Sequence, residues 1–309
     1  MRNAFVRELL QRAETDPRIV VITPDLGFSV WEPFRDRFPD RLLNAGIAEQ
    51  NAVGMAAGLA LSGHVAYVYS IIPFVTMRAY EQVRIDAAYM NAPVRLIGVG
   101  AGFAYGGQGP THHGLEDVSL MRSLPNMTVC CPGDDIEARE LTQASFEHPG
   151  PMYIRLGKSG EPRVHDAATR LALGEAIELI SGAQAVVFAS GTALARAKDW
   201  VLRLREEARP IEAALVSVPT VKPFPEDVVL RYAKRGMPII TVEEHSVIGG
   251  LGSAAAEVLA ESGAAAVLRR FGLPDAFCRE VGSHSYLLER SGFHYDRFHQ
   301  MMRGVCDGL

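Results

Sequence analysis

The chain has 309 residues, 48% of them apolar and 22% charged, with a formal net charge of −5 and a pI near 6.0. That length accommodates two domains with a core each, and mild acidity with scattered Arg and Lys excludes a polyanion-binding surface, so no nucleic-acid partner is expected. No apolar run approaches the roughly 20 residues that span a bilayer, the first residues lack a signal-peptide pattern, and Cys130, Cys131, Cys278 and Cys306 lack metal-ligand spacing; we expect a cytoplasmic protein with buried reduced thiols and no membrane partner.

In chain order, residues 4–14 place Ala4, Phe5, Leu9, Leu10 and Ala13 at helical spacing. The β-branched run over 18–23 reads as a buried strand and 41–46 as a second. Residues 47–61 are small and apolar nearly all round, which predicts a helix buried on every side. A strand at 65–69, an amphipathic helix at 77–90 and a strand at 94–100 follow. A Gly-rich loop then covers 98–114. Next come a short helix at 115–124, a strand at 128–131, a helix at 136–146 and a strand at 152–156. Residues 157–175 break the pattern with turn-rich, polar sequence. A second series has strands at 185–191, 211–218, 238–244 and 265–271, and helices at 193–205, 226–234 and 253–259.

Strands alternating with helices predict a parallel sheet covered on both faces, and continuously apolar strands fit that burial. The predicted fold class is α/β, with two doubly wound domains: a larger parallel-sheet domain over 1–157, a linker over 158–178 and a smaller domain over 179–309.

Three constellations carry chemistry. Glu49 opens the small-residue helix. A first-turn acid held by free N–H groups and the helix dipole is one reading; a buried carboxylate that needs a dedicated partner is the other. Residues 106–114 carry His112 and His113 past a buried strand, at the sheet edge where α/β proteins bind ligands. They offer acid–base groups near neutrality, or a turn with two exposed histidines. The loop lacks the Gly-Lys-Ser/Thr ending of a phosphate loop, and adjacent histidines are poor chelators. Residues 69–82 bring Tyr69 and Phe74, which suit stacking on a flat heterocycle or burial in the core. The turn over 25–29 lacks the glycine fingerprint of a dinucleotide-binding module.

Taken in order, Gly-Ile-Ala-Glu-Gln at 46–50, Arg-Ala-Tyr-Glu-Gln at 78–82, Gly-Pro-Thr-His-His-Gly at 109–114 and Leu-Pro-Asn-Met-Thr-Val at 124–129 with Pro132 resemble the pyrimidine-binding domain of transketolases and 1-deoxyxylulose-5-phosphate synthases. Thr-Val-Glu-Glu-His at 241–245 and Gly-Gly-Leu-Gly-Ser at 249–253 look like the C-terminal domain that transketolases share with beta subunits of 2-oxo acid dehydrogenases. The resemblance covers nearly the whole chain. It implies thiamine diphosphate as cofactor, with Mg2+ or another divalent ion. It also implies that Glu49 hydrogen-bonds N1′ of the aminopyrimidine, that Phe74 or Tyr69 stacks on that ring, that Arg78 contacts it, and that His112 lines the substrate channel and assists proton transfer. Gln108 stands nearest a family aspartate that contacts substrate. Arg2, Ser29, Lys158 and Arg155 are the nearest matches to substrate-phosphate contacts. Transketolases carry a histidine where this chain has about Gly100, which implies a donor whose hydroxyls are read differently from those of common ketose phosphates.

The family's Gly-Asp-Gly motif for the diphosphate and metal is missing: Gly133 is followed by two aspartates instead. The resemblance therefore implies no metal ligand here, a separate N-terminal, diphosphate-binding subunit, a cofactor shared at the subunit interface and an α2β2 assembly. The implied reaction is ketol transfer between sugar phosphates or related small molecules. A pyruvate-using carboligase like the deoxyxylulose phosphate synthases is an alternative, as is a non-catalytic partner subunit. A 2-oxo acid dehydrogenase beta subunit fits less well, because the Gly-Pro-Thr-His loop is typical of the sugar enzymes.

Overall fold

In the computed structural model, which describes residues 1–307, the chain forms two mostly parallel sheets. The first half runs α1 (Arg2–Ala13), β1 (Ile19–Thr23), α2 (Glu32–Arg37), β2 (Leu42–Asn44), α3 (Glu49–Leu61), β3 (Val65–Ile71), α4 (Tyr80–Gln82), β4 (Val94–Val99), α5 (Asp117–Arg122), β5 (Thr128–Cys130), α6 (Asp135–Phe146) and β6 (Met152–Leu156). After residues 157–176, which hold no strand or helix, the second half runs β7 (Ile177–Ile180), β8 (Ala185–Ser190), α7 (Leu194–Glu206), β9 (Ala213–Ser217), β10 (Thr220–Lys222), α8 (Glu226–Lys234), β11 (Ile239–Ser246), α9 (Leu251–Ser262), β12 (Leu268–Leu273), α10 (His284–Arg290) and α11 (Tyr295–Cys306).

The first sheet has the order β10-β5-β6-β4-β3-β1-β2 and the second β12-β11-β8-β9-β7. Every residue of β1 and β4 is buried, as strands covered on both faces require. Alternate residues serve opposite faces. Val20, Ile22, Ala66 and Val68 pack under α3 with Ala52 and Ala56. Ile19, Val21, Tyr67 and Tyr69 pack with Phe5, Leu9 and Trp31.

Four expectations change. The helix beginning at Glu49 is not covered on all sides: Gln50, Asn51, Gly58 and Leu61 are exposed, because only the face carrying Ala52, Val53, Ala56, Ala57 and Ala60 packs into the core. The expected helix at 77–90 is instead the short α4 between two π-helical stretches, Phe74–Arg78 and Val83–Tyr89. There the Thr76 hydroxyl donates to the Ile72 carbonyl at 2.7 Å, a back-bond that bends helices. The third change is at the ends and edges: α2, β7, β10, α10 and α11 are additional to the elements read from sequence. The three-residue β10 lies in the second half of the sequence yet pairs antiparallel with β5 of the first sheet. Finally, Cys278 and Cys306 are only half-buried, while Cys130 and Cys131 are buried.

Buried charge stitches the halves together. Asp134 caps α6 by accepting the N–H groups of Ile136 and Glu137 at 3.0 and 2.9 Å. Its other oxygen accepts the N–H groups of Val164 and His165 at 2.8 Å each and faces His165 Nδ1 at 3.0 Å. His165 Nε2 forms an ion pair at 3.2 Å with Glu137, and Glu137 accepts from Gly133 N–H and the Ser217 hydroxyl, both at 2.6 Å. Burial disfavours the imidazolium, but the bond to Asp134 and the nearby carboxylates outweigh it and raise the His165 pKa. Burial also raises Glu137.

Candidate active site

The carboxyl ends of β2, β3 and β4 bring together residues far apart in sequence. Glu49, at the start of α3, is 1% exposed. Its Oε2 accepts one bond, from Arg78 Nη1 at 2.8 Å, and the Arg78 side chain is 42% exposed. No hydrogen bond reaches Glu49 Oε1 among the described residues. The Arg78 guanidinium lies 4.3 Å from the Phe74 ring centre, a cation–π contact. Phe74 meets His112 edge-on at 5.0 Å, and Tyr105 lies 6.2 Å from the same imidazole. The Lys158 ammonium sits 4.8 Å over Tyr105. One contact chain therefore runs Glu49–Arg78–Phe74–His112–Tyr105–Lys158.

Burial and the positive charge of Arg78 both hold the His112 pKa below the ordinary imidazole value. It is neutral near pH 7 and ready to accept a proton. His113 is not the exposed histidine of the turn reading: it is buried edge-on against Phe103 at 4.9 Å, and burial lowers its pKa too.

Two glycines shape this loop. Gly100 has φ +93°, and the Tyr105 ring occupies the space its side chain would need. Gly102 has φ +63°, and a Cβ there would collide with Glu244 Oε1. Glu244 reaches in from β11, buried, and that same oxygen accepts Phe103 N–H at 2.9 Å and faces His284 Nε2 at 2.6 Å. Its Oε2 accepts the Thr192 hydroxyl at 2.9 Å. Burial pushes this carboxyl up, yet His284 and the other donors hold it below its usual value. Tyr105, Glu244 and His284 were not singled out from sequence as site residues; the Glu-Glu-His run was the available signal for Glu244.

Two expected site residues lie elsewhere. Tyr69 is buried in the core, edge-on to Trp31 at 5.2 Å, because strand alternation turns it away from the face carrying Glu49. Arg155 is buried and committed: it donates to Asp117 at 2.8 Å and to the carbonyls of Gly114 and Glu244 at 2.6 and 3.0 Å. It is a structural cation, unavailable to a phosphate. Tyr153 adds a 2.6 Å bond to the same aspartate.

Arg2 opens α1 beside Tyr69 and Tyr105, whose phenols are raised by burial against the opposing charge of Arg2. Gln108 is exposed in the turn Gly106–Gln108, its N–H bonded to the Tyr105 carbonyl at 2.8 Å. Ser29 is exposed at φ +62° after β1, with its N–H on Glu32 at 2.7 Å; no hydrogen bond joins it to the cluster among the described residues.

Asp134, Glu137 and His165 have ligand atoms within 4.8 Å of one another. Both oxygens of each carboxylate already accept hydrogen bonds, so this trio reads as a closed network rather than a cation site. For thiamine diphosphate, the Glu49 cluster fits the pyrimidine end: a buried carboxylate with one open acceptor beside an aromatic ring. Its donor set of one carboxylate, two aromatic rings, an imidazole and cations offers no cage for a diphosphate-bound metal.

Comparison with known proteins places both halves in one family. Residues 1–162 match the model of the transketolase pyrimidine-binding domain, and residues 174–296 that of the transketolase C-terminal domain. One of the subunits of the apulose-4-phosphate transketolase of Actinobacillus succinogenes is 36% identical over 297 residues, covering 96% of this chain and 95% of that protein. A 6-deoxy-6-sulfo-D-fructose transketolase subunit from a Clostridium species is 39% identical over 294 residues, 94% of this chain and 90% of its own length. Among solved structures, a split-gene transketolase in an inactive beta4 tetramer superimposes with a TM-score of 0.91 at 34% identity, covering 99% of this chain and 98% of that one.

Proposed function

Since the chain belongs to the transketolase family, we propose that it is the cofactor-activating subunit of a two-subunit, thiamine-diphosphate-dependent transketolase, with Glu49 as the proton partner of the cofactor's pyrimidine. The observation that carries this reading is the single open acceptor of Glu49, buried at the head of α3 beside Phe74 and Arg78. Thiamine diphosphate supplies the electron sink for breaking and making the carbon–carbon bond.

The chain's own residues divide the remaining work. Glu49 Oε1 holds a proton against N1′ of the pyrimidine, while Arg78 fixes the carboxylate's orientation through Oε2. Phe74 offers its ring to the pyrimidine, the role for which Tyr69 is too deeply buried. Neutral His112 takes a proton from a substrate hydroxyl and returns it. Arg2 and Lys158 attract the terminal anion of the substrate, together with Ser29 after β1. Gln108, exposed on the same loop as His112, reads a hydroxyl. The substrate class is a ketose with a terminal anionic group, as in the names of the two relatives.

A separate subunit supplies the diphosphate and divalent-ion site, and the pair assembles as α2β2 around shared cofactors. Two features support this: the missing Gly-Asp-Gly motif and exposed apolar side chains on and around α3 and the neighbouring stretch over 83–90, namely Ile47, Leu61, Ile85, Tyr89 and Met90, the kind of surface that marks an interface.

Calorimetric titration of thiamine diphosphate and Mg2+ tests the reading directly. Tight binding requires this chain together with its diphosphate-binding partner. Equally tight binding by the chain alone sinks the division of labour.

A further inference from the structure

The loop over 102–114, which carries His112, is a ring closed at its neck: Gly102 and Gly114 exchange backbone hydrogen bonds of 3.0 Å in both directions. The second half of the chain grips this neck on both sides. Glu244 Oε1 accepts the N–H of Phe103 at 2.9 Å. Arg155 bonds the carbonyls of Gly114 and Glu244 at 2.6 and 3.0 Å, and Ser246 N–H donates to the Leu115 carbonyl at 2.8 Å. Further along the loop, the Gly106 carbonyl accepts the N–H of Gly282, just ahead of α10, at 3.3 Å.

Glu244 is the exacting member of this grip. It is 1% exposed, so water does not replace a lost donor. Oε2 takes the Thr192 hydroxyl at 2.9 Å. Oε1 is shared between Phe103 N–H and His284 Nε2, the latter at 2.6 Å. Gly102 leaves no room for a Cβ against the same oxygen, so the carboxylate and the loop backbone touch and move together. His284 opens α10, and its side chain is 35% exposed. Removing its imidazole takes away one of the two donors on Oε1 and frees the carboxylate to turn from Phe103, without opening the core.

The loop passes such a change to the imidazole of His112. Phe103 packs edge-on against His113 at 4.9 Å. His112 Nδ1 faces the Thr111 hydroxyl at 2.9 Å, within the loop, while the ring meets Phe74 at 5.0 Å, outside it. A shift of the loop therefore carries His112 and its local hydrogen bond along, and changes its place relative to Phe74 and Arg78. Misplacing a reacting group by about 1 Å costs up to about 10²-fold in rate.

We infer that His284 is a positioning residue for His112: by holding Glu244 Oε1 on Phe103 N–H, it fixes the loop that presents the imidazole to the substrate. This rests on the proton-transfer role proposed for His112 above. Three variants of the full chain test it. H284A removes the donor, and H284Q restores an amide donor in its place. F293L loosens the packing of Trp200 and Phe271 in the second half. The His112 imidazole is titrated by NMR, its signal identified by its absence in H112Q, and the loop is followed by hydrogen exchange. In H284A the His112 pKa rises toward the ordinary value of about 6.5, as burial is relieved and Arg78 recedes. Exchange over 102–114 quickens about tenfold, the scale of one lost hydrogen bond to a charged group. H284Q behaves as wild type. F293L lowers the melting temperature and leaves both signals in place. In the assembled pair, with D-xylulose 5-phosphate as donor, H284A lowers kcat about tenfold or more and leaves KM within about twofold.

Wild-type titration and exchange in H284A overturn the inference. So does H284Q as impaired as H284A, which removes the hydrogen bond as the cause, or an equal shift in F293L, which makes the effect a general softening. Wild-type turnover in H112Q overturns the proton-transfer reading instead, and the two failures are told apart because neither titration nor exchange depends on turnover.

Discussion

The Glu49–Arg78 pair and the Asp134–His165–Glu137 network are both built on buried carboxylates, but only one is finished within this chain. Each oxygen of Asp134 and Glu137 has a donor, from α6 or Gly133 just before it, from the segment after β6 or from Ser217 of the second half. Glu49 has one donor, on a side chain still 42% exposed, and an idle oxygen beside a surface of uncovered apolar residues. A buried carboxylate without its full set of donors is costly. The network therefore reads as architecture, and the pair as a half-site whose remaining partner arrives from outside.

Removing the chemistry without the architecture should have the largest effect. Glu49→Gln should lower turnover of the assembled enzyme by about 10²–10⁴-fold, the usual scale of a lost proton-transfer group, with the melting temperature of the chain unchanged. Turnover near the wild-type rate removes Glu49 from the mechanism. Breaking the architecture should do the reverse. Arg155→Met leaves Asp117 buried and unpaired, which costs about 3–5 kcal/mol; urea denaturation should show it as a lower midpoint, and an unmoved midpoint refutes the structural role.

A third variant separates folding from assembly. A Cβ at Gly58 meets nothing within 4 Å, so Gly58→Leu should leave the chain folded while obstructing a partner laid on α3. An overpacked interface loses about 1–3 kcal/mol, readable as weaker association by sedimentation; unchanged association places the partner elsewhere.

The smallest effect concerns pH. His165 is raised, so its contribution to stability is complete below the ordinary imidazole value of about 6.5 and is lost as pH rises through the raised one. Glu137, also raised, acts in the same direction, from the carboxylate range upward. Asp134 is held low by its donors, so its contribution fades only in strong acid. The midpoint of unfolding should fall from mildly acidic to alkaline pH, and His165→Gln should flatten that slope. An identical slope in the variant shows that His165 does not titrate with folding.

Much of this was legible in the residues because strands and their end loops leave local marks. The β-branched runs announced β1 and β4, and Glu49, Phe74, Arg78 and His112 all lie on the segments that follow strand ends, where α/β proteins place ligands. What stayed hidden was long-range. Tyr69 is aromatic and close to the site in sequence, but the two-residue alternation of β3 turns it toward Phe5 and Trp31. Arg155 looked like a free cation because its counter-ion is 38 residues away in sequence. The short β10, bounded by Pro219 and Pro223, has no periodicity to read. The small apolar residues of α3 look the same whether their own chain or another covers them.

The linker that separates the two halves in sequence is a poor place to cut. Beyond it lie β10, which closes the edge of the first sheet at β5, Ser217, which completes Glu137, and Glu244, which pins the loop of His112. A fragment stopped there keeps every residue of the Glu49 cluster up to Lys158, yet loses the ties that hold His112 in place and exposes an open strand edge to any passing chain. For protein engineering, the two halves are not interchangeable cassettes: grafting a foreign second half onto this catalytic face means rebuilding its supports as well.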